Sequence, residues 1–152
     1  MNQISFIKSP EKKKIIERLN ESLGITNLPY QLIRSGTEKI RAFSGSLSKE
    51  QIEMLSRVVN VEAVGTYFLK QEHDLRLSFD ACHLLQNQIS KNIIEINDEQ
   101  YHKWIRGFDL EFTTPIPHGI VVVSYKGDLL GCAKATENKV LNYVPKERRL
   151  RK

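Results

Sequence analysis

Apolar residues recur at Ile15, Ile16, Leu19 and Leu23, a spacing that gathers them on one side of a helix. Ser9 reads as its N-cap, Pro10 as the first helical residue and Gly24 as its stop, which predicts a first helix over residues 10–23. Tyr30 to Arg34 and Lys39 to Phe43 then read as two strands around Ser35-Gly36-Thr37, where glycine supplies the positive φ that a tight hairpin loop needs. Ser48-Lys49-Glu50-Gln51 is a capping box, with Leu47 and Ile52 placed as a hydrophobic staple and Leu55, Val58 and Val59 continuing the stripe. A second amphipathic helix is predicted over residues 48–59.

From Val61 the period changes. Val64-Gly65-Thr66-Tyr67-Phe68-Leu69 is β-rich, and Leu75, Leu77 and Phe79 alternate with Arg76, Ser78 and Asp80, which predicts strands of one sheet. Gly65-Thr66-Tyr67 reads as a bulge in the first of them, with a backbone approach site as the alternative. Asp80 is placed to cap a short helix carrying Ala81, Leu84 and Leu85. Periodicity then fails over residues 86–91, where a domain boundary is expected. Beyond it the pattern predicts a strand at Asn92 to Ile96, and a helix capped by Asn97 and Gln100 that buries Tyr101, Trp104 and Ile105 and ends at Gly107. Strands follow at residues 119–125, 129–135 and 139–144, with Tyr143 expected to pack in the core and, as the alternative, to offer a stacking ring near the tail. The fold class is α+β, two small domains at residues 1–90 and 91–152.

The chain has 152 residues and a net charge of +5, and Lys146-Glu147-Arg148-Arg149-Leu150-Arg151-Lys152 alone supplies +4 of it. Such a block does not build a core, because Lys and Arg are almost never buried unpaired; its expected use is to meet a polyanion, the alternative being a solvated or frayed end. Lys126, Lys134, Lys139 and Lys146 lie on or beside the last hairpins, and with Arg148, Arg149, Arg151 and Lys152 they are expected to form one electropositive face. Arginine's planar fork grips phosphate or stacks on an unpaired base. Lys103 and Arg106, on the outer side of the 98–106 helix, are weaker candidates. The longest aliphatic run, Ile120 to Val123, is too short to cross a bilayer, and the first residues lack the pattern of a secretory signal, so a cytoplasmic address is expected. Cys82 and Cys132 read as buried free thiols rather than a staple.

Catalytic signatures do not assemble. The sequence holds no G-x-x-x-x-G-K-[ST] loop, no G-x-G-x-x-G, no G-x-S-x-G and no H-E-x-x-H. His73, His83, His102 and His118 are scattered, and Asp80 with His83 reads as a cap beside a surface residue, not as an acid–base pair. No enzyme activity, cofactor or metal is expected.

Asn92-Ile93-Ile94-Glu95-Ile96, the 98–106 helix, His118-Gly119-Ile120-Val121-Val122-Val123-Ser124-Tyr125 and Gly127-Asp128-Leu129-Leu130-Gly131-Cys132-Ala133 resemble a PUA domain. Upstream, Ala63-Val64-Gly65-Thr66-Tyr67-Phe68, Leu75-Arg76-Leu77-Ser78 and Ala81-Cys82-His83-Leu84-Leu85 are similar to the N-terminal domain of the Nip-seven family of large-subunit ribosome-biogenesis factors, in the archaeal form. The resemblance implies an α/β pre-PUA domain followed by a PUA-type pseudo β-barrel, with rRNA bound by the barrel and pre-ribosomal proteins by the N-terminal domain. A monomer is expected, nucleolar if eukaryotic. The family's Gly-x-Gly is replaced at its second glycine by Ala133, whose methyl group would hinder a close RNA approach. Three roles stay open: a ribosome-assembly factor holding single-stranded or looped rRNA, an accessory delivering RNA to a modifying enzyme, and a protein-interaction module whose tail meets an acidic partner.

Overall fold

A computed structural model describes residues 4–111, 113, 116 and 118–151. The chain lays down two five-stranded sheets. The first contains β1 (Ser5–Phe6), β2 (Gln31–Ser35), β3 (Lys39–Phe43), β4 (Thr66–Gln71) and β5 (Leu75–Leu77), antiparallel and in sequence order. Three helices accompany it: α1 (Ser9–Leu23), α2 (Lys49–Val58) and α3 (Phe79–Leu84). The second sheet contains β6 (Ile93–Glu95), β7 (Leu110–Glu111), β8 (Gly119–Tyr125), β9 (Asp128–Ala135) and β10 (Lys139–Asn142), in the order β6-β8-β9-β10-β7. Among the described residues only the β6–β8 pair is parallel, and α4 (Asp98–Trp104) connects β6 to β7.

The apolar run in β8 explains how the two sheets cohere. Ile120 and Val122 face a core built by Ile15, Leu19, Phe68, Leu77 and Cys82, whereas Val121 and Val123 face a second core around Ile94, Trp104 and Val140. Side chains alternate along a strand, so a run with no polar interruption is what burial on both faces requires. Trp104 is fully buried, and its indole N–H donates to the Leu130 carbonyl at 3.1 Å. That bond satisfies the one polar atom the ring carries inside.

Several local expectations need correction. Helix α1 begins at Ser9 with Lys8 in the cap position, because the Lys8 carbonyl already accepts from the Lys12 amide at 2.9 Å; Ser9 is therefore inside the first turn and does not cap. Ser78, not Asp80, caps α3: its hydroxyl accepts from the Ala81 amide at 3.1 Å, which leaves Asp80 free to point outward. The α2 capping box forms through Ser48 and Gln51, yet of its apolar stripe only Ile52 is buried; Leu47, Leu55, Val58 and Val59 are exposed. Gly65 sits ahead of β4 at φ +77°, where a side chain would collide with the Ala42 carbonyl, and the extra residue of the β3–β4 ladder is Phe68 of β4, between Tyr67, which faces Arg41, and Leu69, which faces Ile40. Gly65 is thus a close backbone approach, and the bulge lies in the strand that follows it. Tyr143 is exposed because β10 stops at Asn142, whose side-chain carbonyl turns the chain by accepting from the Val144 amide at 2.8 Å.

Candidate nucleic-acid interface

The basic tail is folded against the end of α4. Asn142 supplies the anchor: its amide group donates to the Trp104 carbonyl at 2.8 Å and the Phe108 carbonyl at 3.0 Å, and its backbone N–H donates to Asp109 at 2.8 Å. The end of β10 is thereby tied to the end of α4. Pro145 then opens a short 3-10 turn, Lys146–Arg148, closed by the Arg148 amide on the Pro145 carbonyl at 2.9 Å. Leu150 donates its amide to the Ile105 carbonyl at 2.9 Å, capping an α4 carbonyl that the helix itself leaves unpaired.

Arg149 locks this path. Its Nε donates to the Val144 carbonyl at 2.9 Å, and its guanidinium lies across Gly107, where a Cβ would stand only 2.4 Å from Nε. Gly107 has φ +93°, so glycine here both ends α4 and clears the surface on which Arg149 rests. Arg148 leans toward the first sheet, with Nη2 3.0 and 3.2 Å from the two carboxylate oxygens of Asp80. Lys146 and Arg151 are exposed and hold no ion pair among the described residues, and the same is true of Arg106 at the end of α4. Lys152 lies outside the described residues.

The hairpin lysines are placed differently. Lys134 pairs with Asp74 at 3.0 Å, and that hydrogen bond raises its pKa. Lys139 is 3.7 Å from Glu111 on the neighbouring strand β7. Lys126 stands at the β8–β9 turn, 3.6 Å from Asp98, which also accepts from the Tyr125 hydroxyl at 2.6 Å. The Tyr125 hydroxyl first, and Lys126 second, hold the Asp98 carboxyl below its ordinary range. The same cluster raises the pKa of Lys126, through Tyr125 and then Asp98. At about 3.3 Å per residue, the length of β9 separates the Lys126 turn from Lys134 by roughly 20 Å. The seven described candidates thus do not share one face: the tail and the end of α4 form one cluster, Lys134 and Lys139 lie toward one end of the β-ladder, and Lys126 marks the other. Lys103 pairs with Glu99 at 3.6 Å within α4.

Three further residues join this surface. Phe108, 60% exposed, follows the Gly107 stop beside Arg106. Tyr143 precedes the tail with its ring covered by Arg76, whose guanidinium carbon is 3.8 Å from the ring centroid. In the sequence Arg76 is merely the polar partner in an alternating strand, and the only trace of Phe108 is a large apolar residue placed just past a helix stop. Exposed rings among cations suit unpaired bases, whose faces stack on aromatic or guanidinium planes. Among the described residues no three His, Cys, Asp or Glu side chains gather as a metal would require. No described helix is long and apolar enough to cross a membrane.

Known proteins match this chain in two ways. Residues 91–150 match the family model described as the methyltransferase RsmF PUA domain. The ribosomal RNA small subunit methyltransferase F of Shewanella oneidensis is 29% identical over 145 residues, an alignment covering 91% of this chain and 28% of that protein. The chain therefore spans little more than a quarter of the relative it matches. These findings support the PUA part of the resemblance and the α+β, two-sheet fold that goes with it, in the form associated with rRNA methyltransferases and not with the Nip-seven family in particular.

Proposed function

We propose that this protein binds rRNA in single-stranded or looped form, with the folded tail and the end of α4 as its phosphate-gripping surface. The observation that carries the proposal is the docking of the tail: Leu150 on Ile105 and Arg149 across Gly107 hold Lys146, Arg148, Arg149 and Arg151 on one short, ordered path. A preordered set of cations loses less freedom on binding than a frayed one, so more of the phosphate attraction appears as affinity. The chain itself performs no chemistry in this reading.

Two roles within rRNA metabolism follow. Assembly of the large ribosomal subunit is one, with the first sheet and its helices docking pre-ribosomal proteins and the chain acting as a monomer in the cytoplasm. Delivery of rRNA to a separate methyltransferase is the other, favoured by the similarity to a small-subunit rRNA methyltransferase of which this chain spans 28%. Crosslinking in cells followed by sequencing of the attached RNA separates them. Reads concentrated in large-subunit rRNA support assembly, and reads concentrated around methylated positions of small-subunit rRNA support delivery. Reads without rRNA enrichment would remove both.

A further inference from the structure

Where the two sheets meet under the start of the tail, Tyr67, Arg76, Phe79, Gly131, Cys132 and Tyr143 line a crevice of about 80 Å³. Its walls come from both sheets: Tyr67 belongs to β4, Arg76 to β5, Gly131 and Cys132 to β9, and Tyr143 follows β10. Each of the three rings has a cation near its face. Arg76 covers Tyr143 at 3.8 Å, Lys39 approaches Tyr67 at 5.4 Å and Arg148 approaches Phe79 at 5.7 Å. Tyr143 is nevertheless 36% exposed.

We propose that this crevice receives one unpaired base of RNA, stacked on the Tyr143–Arg76 pair; the inference rests on the RNA-binding function proposed above and assigns the base-contacting part of it. A site for phosphate alone would need only cations, and the tail supplies those. Here rings dominate, and a guanidinium already stacked on a tyrosine extends the flat surface that a base face seeks. The enclosed space is too small for a nucleotide, so the base lies across the mouth and inserts only an edge. Val144 and Pro145 also line the crevice, and Lys146 comes next in the chain, so the sugar-phosphate of the stacked nucleotide leads directly onto the tail.

The alternative use of the Arg76–Tyr143 pair is to clamp the two sheets together, and the experiment must tell the two apart. Short single-stranded RNAs carrying 2-aminopurine at successive positions report stacking by quenching of their fluorescence. The wild-type protein is expected to quench one position strongly. Tyr143→Leu keeps an apolar side chain but cannot stack, and should abolish that quenching and weaken binding about tenfold, with the salt dependence unchanged because no phosphate contact is lost. Tyr143→Phe should restore both. Thermal melting accompanies each variant: a lowered melting temperature with quenching retained in Tyr143→Leu would identify the pair as a clamp and overturn the proposal. If the wild type binds RNA and its tail variants weaken, yet Tyr143→Leu binds and quenches as the wild type does, the base site falls while RNA binding stands. If the wild type binds no RNA, both fall together.

Discussion

The lysines of the last hairpins and the cations of the tail carry the same charge per residue, yet the fold treats them in opposite ways. Lys126, Lys134 and Lys139 each stand within 4 Å of a carboxylate, from Asp98, Asp74 and Glu111 in turn. Among the described residues of the tail only Arg148 has such a partner, and Arg149 donates to a main-chain carbonyl that leaves its charge uncompensated. A cation beside a carboxylate presents little net field to a polyanion, so charge counted along a sequence overstates charge available for binding. Arginine in the tail against lysine in the hairpins deepens the contrast, because the guanidinium fork suits phosphate geometry.

The strongest test of this contrast is to remove one side of it. Changing Arg148, Arg149 and Arg151 together to Ala should flatten the log–log salt dependence of RNA binding by about 2 units, at about 0.7 per phosphate contact on single strands. Filter binding over a salt series measures it, with circular dichroism to confirm the fold. An unchanged slope would place the phosphate contacts elsewhere.

A smaller effect should follow from disturbing how the tail is held. Gly107→Ala forces a side chain into a positive-φ conformation and against the Arg149 guanidinium, which should lower stability by about 1–3 kcal/mol. In the Arg149→Ala background the steric part disappears and only the backbone strain remains, so the two changes should be less than additive in chemical denaturation. Full additivity would mean that Arg149 does not rest on Gly107.

The hairpin side should respond least to charge removal. Changing Lys126, Lys134 and Lys139 together to Ala takes away as many charges as the tail triple variant, but it should shift the salt slope by less than about 0.7, the value of one contact. A loss matching that of the tail variant would show that these ion pairs open on RNA and that the contrast does not survive binding.

How far this surface can be read from the sequence depends on how far apart its partners lie along the chain. Helix α4 is fully legible, since Asn97, Gln100 and Gly107 act within a turn or two of one another and the cap forms through both side chains. The tail is legible as a charge block for the same reason. Its neighbours are not: Asp80 lies 68 residues before Arg148, and Asp74 meets Lys134 only because β5 and the β4–β5 turn pack against β9. Tyr143 shows the other limit. An apolar strand pattern predicts a buried ring, but one side-chain turn at Asn142 ends the strand and leaves the ring outside. In α2 the apolar spacing is real while its face stays exposed, because periodicity reports where apolar groups lie and not what covers them.

Among the described residues the Asp80–Arg148 pair is the one place where the tail behaves like the hairpins, and it therefore gives the finest test. Both side chains are about half exposed, at 50% and 49%, so the pair contributes at most about 1 kcal/mol to folding. Asp80→Asn keeps the shape of the side chain and removes its charge. Ser78 remains the cap of α3, so the helix should persist and the melting temperature should change little. RNA binding should tighten a few-fold, because the field at the tail becomes more positive by one charge. The salt slope then reports what Arg148 does in the wild-type complex. If Asp80 holds Arg148 there, releasing it adds a phosphate contact and steepens the slope by about 0.7. If Arg148 already leaves Asp80 when RNA arrives, the slope stays as it was and only the affinity rises. Weaker binding in Asp80→Asn would mean that Asp80 orients Arg148 for its contact, and the tail and hairpin cations would then differ less than their surroundings in the free protein imply.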